Sequence, residues 1–471
     1  MELTMQKIFS LFLLPFFFLT SIANGFTPPP TDFSLEDQTT QVIQQYGITW
    51  NFSDPVKYGQ FVNGDYWIID DGEGVTVSTV SPAFQDGKNG SMINPIPRGK
   101  QGFDIGARNF DSQLVASFPL QLKVGDALLS SVSRIPEDKV DLAGNGLGDH
   151  HFLKTVAVLT VLATPPPVGS LRPSYCDRDQ KLYNIKNINE NILPQLHPPI
   201  APKDPSTYER YFQRPWILFG DDWNGRSIHP YDNMPGYHRV VGKMLSDTCM
   251  FLMTDSNDKK STIINFIQTG IDYYYTKAAD TSTWLWPVVF TGLLLNEESL
   301  YNYWIENPSL IPRTREGDKL YYIGERATTR KSSIIGEGKT WVDWKTPEGK
   351  YVAFAKQAGQ EHEHLHPSEW TDLDRKNEAY RANLDVDPWI GMHLSSMLTA
   401  KASSINVREK FNRPQAWDYS DRWMKDGFTT EKYADTEKTY LEVMNATGFT
   451  PYQTYNSSGF EWINAMWKAY R

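Results

Sequence analysis

Three imidazoles and three carboxylates fall within Gln360–Trp370, which reads Gln-Glu-His-Glu-His-Leu-His-Pro-Ser-Glu-Trp. That places three of the chain's nine histidines in eleven residues. Imidazole and carboxylate are the groups that ligate metals or move protons near neutral pH. His362, His364 and His366 sit at i, i+2, i+4, so in an extended segment they share one face while Glu361 and Glu363 take the other. A zinc-like cation suits such a face, but the helical His-Glu-x-x-His spacing is absent and no second ligand motif of strong specificity accompanies it. Two other uses stay open. One is a metal-free catalytic or substrate-binding role for at least one histidine. The other is a polar loop packed on Trp370, with Ser368 capping a following helix.

A second cluster is Arg226–Arg239 (Arg-Ser-Ile-His-Pro-Tyr-Asp-Asn-Met-Pro-Gly-Tyr-His-Arg), a Pro/Gly-broken loop ahead of a helical pattern. Arg, His, Tyr and Asn are the types that β-elimination on a uronic acid polymer requires. One polar group neutralises the sugar carboxylate, a His or Tyr takes the acidified C–H proton, and a Tyr or His protonates the leaving oxygen. His229, Tyr237, His238 and His364 are the expected catalytic residues, with Arg239 and Asn233 as carboxylate binders. The competing reading is that the Tyr and His of this loop cap the helix and pack on the preceding half. A third polar run, Arg375 to Asp387, contains Arg381 and Asn383, which could hold a carboxylate bidentately; a solvated helix face explains it equally well. Trp286 and Trp370 are the expected sugar-stacking rings. Tyr273, Tyr274, Tyr275 and Trp284 are assigned mainly to core packing, and His150-His151 is left out of the site.

The elements that must position these groups differ between the halves. From about Gly47 to Ala163, alternating runs (Gly47–Phe52, Gly74–Val80, Leu114–Phe118, Thr155–Leu162) are punctuated by Gly/Asp turns, which predicts an antiparallel β-sandwich. Pro165-Pro166-Pro167 ends it. After about Pro202, apolar residues recur at three- and four-residue intervals in Val241–Met253, Lys260–Thr276, Trp286–Leu295, Pro388–Ala400 and Tyr433–Thr447. Residues 313–360 interrupt this pattern as a long insertion with a few short strands. The expected class is therefore α+β multidomain: a leader at 1–25, a β-sandwich at 26–165, a linker at 166–204, and an α/α-toroid-like helical domain at 205–471, short for a full ring.

Lys7, the apolar run Ile8–Leu19, and small residues at Ala23 and Gly25 read as a signal peptide, so a secreted or periplasmic chain without a membrane span is expected. A net charge of -10 argues against a nucleic-acid partner. Aromatic residues at 13%, with 15 Trp and 24 Tyr, tilt the expected partner toward a polysaccharide or oligosaccharide. Cys176 and Cys249 are read either as one disulfide or as two isolated thiols. No cofactor is expected, with a divalent metal at His362, His364 and His366 held as the alternative.

Six phrases occur together: Arg172-Pro173-Ser174-Tyr175-Cys176, Phe212-Gln213-Arg214-Pro215-Trp216, His229–Pro235, Trp286–Phe290, Glu363–Trp370, and the terminal Met466–Arg471. Over most of the mature length they resemble a group of secreted bacterial proteins to which no reaction is attached. In that group a Gly/His/Arg-rich stretch precedes the Trp-Pro motif, whereas this chain has Asp280-Thr281-Ser282-Thr283-Trp284-Leu285. The difference puts substrate or activity in question if those residues act in the group. The wider resemblance is to toroidal (α/α) carbohydrate-active enzymes such as polysaccharide lyases. Heparinase-like lyases carry their sandwich after the toroid, while some helical-toroid glycosidases carry it before, as here. Three readings follow: a lyase on a uronate-containing glycan; a glycoside hydrolase with a pair among Glu361, Glu363, Glu369, Asp385 and Asp387; and a non-catalytic glycan-binding or surface protein.

Overall fold

A computed structural model describes residues 38–96, 100–107, 109–135, 152–217, 230, 232, 238–276, 282–303, 344–345, 351–352, 390–410, 417, 424 and 461–471. These residues build a mixed α+β protein. The expected leader lies outside them, as do the helix predicted at Tyr433–Thr447 and most of the 313–360 insertion.

Eight strands come first: β1 (Thr39–Gln45), β2 (Ile48–Gln60), β3 (Tyr66–Ile69), β4 (Val75–Ser81), β5 (Ser91–Ile93), β6 (Leu120–Leu122), β7 (Ala127–Ser133) and β8 (Leu153–Leu162). They join in one sheet of order β5-β7-β8-β3-β2-β4-β6, with β1 also on β2. Two facing sheets were expected; a single curled one is found, and β2 is the reason. Ile48–Asn51 and Val56–Lys57 pair with β1, Thr49–Phe52 pair with β4, and Tyr58–Gln60 pair with β3. Register shifts at Thr40/Val42 and Asn51/Phe52 help it bend between those partners. One strand thus serves both sides and the sheet wraps over its own core.

Inside the curl lie Trp50, Phe52, Val77, Leu128, Leu159 and Val161. The Trp50 indole N–H donates to Ser130 Oγ at 3.0 Å, so its polar edge is satisfied at depth. β8 is buried on both faces: Ala157, Leu159 and Val161 point into this core, Val156 and Val158 into a second with Phe103, Tyr175 and Ile217. Its continuous apolar run is what a central strand needs.

The helical half contains α1 (Pro205–Phe212), α2 (His238–Leu252), α3 (Lys260–Thr276), α4 (Ser282–Leu295), α5 (Glu298–Tyr301), α6 (Ile390–Ala402), α7 (Val407–Lys410) and α8 (Glu461–Tyr470). Two short strands, β9 (Trp344–Lys345) and β10 (Tyr351–Val352), pair antiparallel within the predicted insertion. Buried residues of α1 through α8 form one apolar core. α3 is enclosed along most of its length, from Thr262 to Tyr273. The described residues give no ring of helical hairpins.

The segment expected as a linker packs between the halves. Leu171, Ile192 and Leu193 enter the helical core, and Tyr175 enters the second sheet core. Cys176 and Cys249 are both free thiols: the first donates to the Pro95 carbonyl at 2.8 Å and the second lies in the helical core. No described helix is long and apolar enough to cross a membrane.

Candidate functional site

Where sheet and helices meet, three charges are taken out of water together. Asp65 closes the β2–β3 turn, in which its carbonyl accepts the Phe61 N–H. Arg172 comes from the joining segment and Asp272 from α3. The Arg172 Nε–H donates to Asp65 Oδ2 at 2.6 Å; Nη2 donates to Asp272 Oδ2 at 2.6 Å and Nη1 to Asp272 Oδ1 at 3.1 Å. Nη1 also donates to the Pro173 carbonyl, and Asn63 donates to Asp65 Oδ2. All three charged side chains are at most 3% exposed.

The planar fork suits this double carboxylate geometry, which a lysine would not reproduce. Burial alone would lower the Arg172 pKa, but the charges of Asp272 and Asp65 more than offset it and hold the guanidinium ionised. Burial pushes the Asp272 carboxyl up, against the Arg172 fork and the Tyr175 backbone N–H, which pull it down. Groups so enclosed present no atom to a substrate. The cluster fixes the sheet on the helices.

Alongside it lies a more accessible group. The β1–β2 turn places Tyr46 at φ 51, and its ring lies 4.2 Å from the Arg214 guanidinium carbon. Tyr46 donates its hydroxyl to the Gln213 carbonyl at 3.3 Å. Burial, with the Asp65 charge, pushes that hydroxyl well above the usual tyrosine range. Arg214 Nε–H donates to Thr155 Oγ1 at 2.8 Å, and Nη2 stands 3.7 Å from Asp232 Oδ2. Burial lowers the pKa of this guanidinium. The Asp232 N–H donates to the Lys154 carbonyl at 3.2 Å.

Four residues of the Arg226–Arg239 cluster are among those described. Pro230 is buried and Asp232 is pinned against the start of β8. His238 and Arg239 are the first two residues of α2. His229, Asn233 and Tyr237 lie outside the described residues, as do His362, His364, His366, Trp370 and Arg381. The roles expected of these residues therefore rest on sequence.

Trp286 is a correction. Expected as a sugar platform, it is 0% exposed, stacks on Phe290 at 5.1 Å, and donates its indole N–H to Ser395 Oγ at 3.1 Å. A ring covered in this way offers no face to a ligand. Tyr273 is likewise buried, while Tyr274 packs edge-on against Tyr275 and Tyr303. Among the described residues no group of three or more His, Cys, Asp or Glu side chains is arranged to hold a metal; the alternative site at His362, His364 and His366 falls outside them.

Sequence reasoning passed over Asp65, Arg172, Asp272, Tyr46 and Arg214. One signal was available: Asp272 is the single acid in the α3 sequence Lys-Ser-Thr-Ile-Ile-Asn-Phe-Ile-Gln-Thr-Gly-Ile-Asp-Tyr-Tyr-Tyr-Thr. An acid among apolar residues on all sides calls for a buried cation. Arg172 and Arg214 each lie within a phrase noted for resemblance, yet nothing local marks which carboxylate each meets. No protein-family model, curated protein or solved structure matches this chain.

Proposed function

We propose that this chain is a secreted polysaccharide lyase acting on a uronic-acid-containing glycan. The observation that supports the reading is the anchoring of the Arg226–Arg239 stretch. Asp232 ties it to β8 through the Lys154 carbonyl and the Arg214 guanidinium, and it runs directly into α2. Chemistry-bearing side chains between two points fixed on the scaffold, Asp232 and the start of α2, have a reduced entropic penalty for reaching a reactive geometry. The expected ring of helical hairpins around a cleft belongs to this proposal.

In this reading Arg239 and Asn233 bind the sugar carboxylate and withdraw charge from the adjacent carbon. A His or Tyr among His229, Tyr237, His238 and His364 takes the proton from C5. The freed electron pair forms the C4–C5 double bond as the C4–O bond breaks. A second member of the set donates a proton to the departing oxygen. Arg381 and Trp370 extend the binding surface.

The test is incubation with alginate, glucuronan and polygalacturonate, followed by the ultraviolet absorbance of the conjugated unsaturated product. His364→Ala and Tyr237→Phe should abolish that signal while circular dichroism and melting stay at the parent values. New reducing ends without the absorbance would replace elimination by hydrolysis. Binding without either product would replace both by a glycan-binding protein. Full activity in both variants would overturn the site assignment.

A further inference from the structure

Arg214 carries more donors than its described partners use. We propose that Arg214 is a carboxylate-binding residue of the substrate site, and that Asp232 holds the place of the sugar carboxylate until the glycan arrives. The choice of a uronate rests on the lyase reading; the geometry itself asks for a planar carboxylate beside Asp232.

Three segments fix the guanidinium. Arg214 follows α1, its Nε–H donates to Thr155 Oγ1 on β8 at 2.8 Å, and the Tyr46 ring of the β1–β2 turn lies 4.2 Å from its central carbon. The ring is itself pinned, because the Tyr46 hydroxyl donates to the Gln213 carbonyl. A planar group held by its Nε and one face keeps the Nη1–Nη2 edge, the fork that meets carboxylates bidentately. Among the described residues Nη1 makes no hydrogen bond, and Nη2 meets Asp232 Oδ2 only at 3.7 Å, beyond hydrogen-bond length.

Arg172 shows what a satisfied guanidinium looks like in this molecule. It sets its nitrogens on two carboxylates at 2.6–3.1 Å and on a backbone carbonyl. Arg214 sets one on a neutral hydroxyl. Tyr46 cannot balance its charge, since burial keeps that hydroxyl protonated. Burial lowers the Arg214 pKa; Tyr46 and Asp232 oppose this, and the like charge of Arg210 adds to it. A partly desolvated cation so loosely paired gains from a carboxylate at hydrogen-bond distance.

The site is open to a ligand: the Arg214 side chain is 13% exposed and that of Asp232 27%. Asp232 is fixed through its backbone N–H on the Lys154 carbonyl, so its carboxylate can turn aside without freeing the chain. The 3.7 Å contact itself costs little to break. A sugar carboxylate taking its place lies against the stretch that carries His229, Tyr237 and His238, the expected proton-transfer groups.

The experiment is calorimetric titration of the full chain with galacturonate and mannuronate trimers, and with the methyl-esterified galacturonate trimer, which lacks the charge. At least one acidic trimer should bind, and the ester should bind far more weakly. Arg214→Gln should weaken the acidic trimer about tenfold or more, with Arg214→Lys recovering only part of the loss. Asp232→Asn should act in the opposite direction and tighten it roughly two- to fivefold, because a competing charge is removed. A merely structural arginine would not give variants of opposite sign. Melting curves identify an Arg214 variant that fails to fold, in which case Asp232→Asn carries the test. No acidic trimer bound, unchanged affinity in folded Arg214→Gln, or weaker binding in Asp232→Asn would each overturn the assignment. The ultraviolet assay on the same variants separates the two proposals. Elimination product with affinity indifferent to both substitutions leaves the lyase reading and removes Arg214 from its site. Binding that responds with opposite signs, without elimination product, leaves the carboxylate site and removes the lyase.

Discussion

Replacing Arg172 with methionine removes the cation that Asp65 and Asp272 share. Methionine retains much of the stem's apolar volume, so the perturbation is mainly electrostatic. The three side chains are at most 3% exposed, and the lost contacts include two charged hydrogen bonds at 2.6 Å. Removing one partner from a buried ion pair costs about 3–5 kcal/mol, because the remaining charge stays desolvated. At ~2–4 °C per kcal/mol for a cooperative unit of some hundreds of residues, the melting point should fall roughly 6–20 °C. Urea unfolding followed by tryptophan fluorescence measures the free energy directly.

The pH dependence supplies a second check. Burial already pushes the Asp272 carboxyl up with Arg172 in place, and without the guanidinium its folded pKa rises further above the unfolded value. Such a group favours the folded state below the unfolded carboxylate pKa and loses that contribution as pH rises through the folded pKa. The deficit of Arg172→Met relative to the parent should therefore be largest at about pH 8 and shrink toward about pH 5. Adding Asp272→Leu should recover part of the loss by removing a stranded charge. A loss below about 1 kcal/mol, or a deficit that grows on acidification, would refute the account of the cluster as a fixed ionic joint.

Two further outcomes follow from the described packing. Trp462→Phe keeps an aromatic ring on α8 but removes the indole N–H that donates to Asp247 Oδ1 at 2.8 Å, leaving Lys203 and Tyr208 on that carboxylate; urea unfolding should show a loss of about 1–3 kcal/mol. Cys176 and Cys249 are free and burial pushes both thiols up, so the folded protein should react slowly with a thiol reagent. After denaturation without reductant both should alkylate, and mass spectrometry showing fewer than two added groups would contradict the structure.

The sequence was legible where a local pattern and the final environment agree. α3 runs from Lys260 to Thr276, the bounds its periodicity predicts, because apolar residues at three- and four-residue intervals give a helix the stripe it buries. β8 ends at Leu162, ahead of the prolines that forbid further ladder bonds. Leu114–Phe118 alternates but forms no strand. The Asp111 side chain accepts the Gln113 N–H and draws residues 112–114 into a 3₁₀ turn, and pairing begins only at Leu120. β1 escaped notice because just one of its seven residues, Ile43, is buried. The single curled sheet was beyond reach for another reason. Alternation says that one face of a strand is covered, but β2 covers its face by changing partners along its length, and the parallel β3–β8 pairing joins distant segments. The ion cluster has the same character: Asp65, Arg172 and Asp272 are remote in sequence, and their meeting is a property of the docking of the halves.

Two guanidinium groups at that junction differ in what they fix. Arg172 is 1% exposed and spends its donors on two carboxylates within 3.1 Å, which binds sheet to helix firmly. Arg214 meets Asp232 at 3.7 Å with both side chains partly open to solvent. An ion contact of that kind contributes about 0–1 kcal/mol, several-fold less than a buried fork. The Arg172 fork is therefore the stiff joint, while the Arg214–Asp232 charge contact adds little energy to the backbone bond that fixes Asp232 on β8. Asp232→Asn, which removes the charge from that contact, should leave melting almost untouched. A loss of turnover in Tyr237→Phe at unchanged stability thus reports on the chemistry or placement of that loop, whereas a loss in Arg172→Met accompanied by unfolding reports only on the frame.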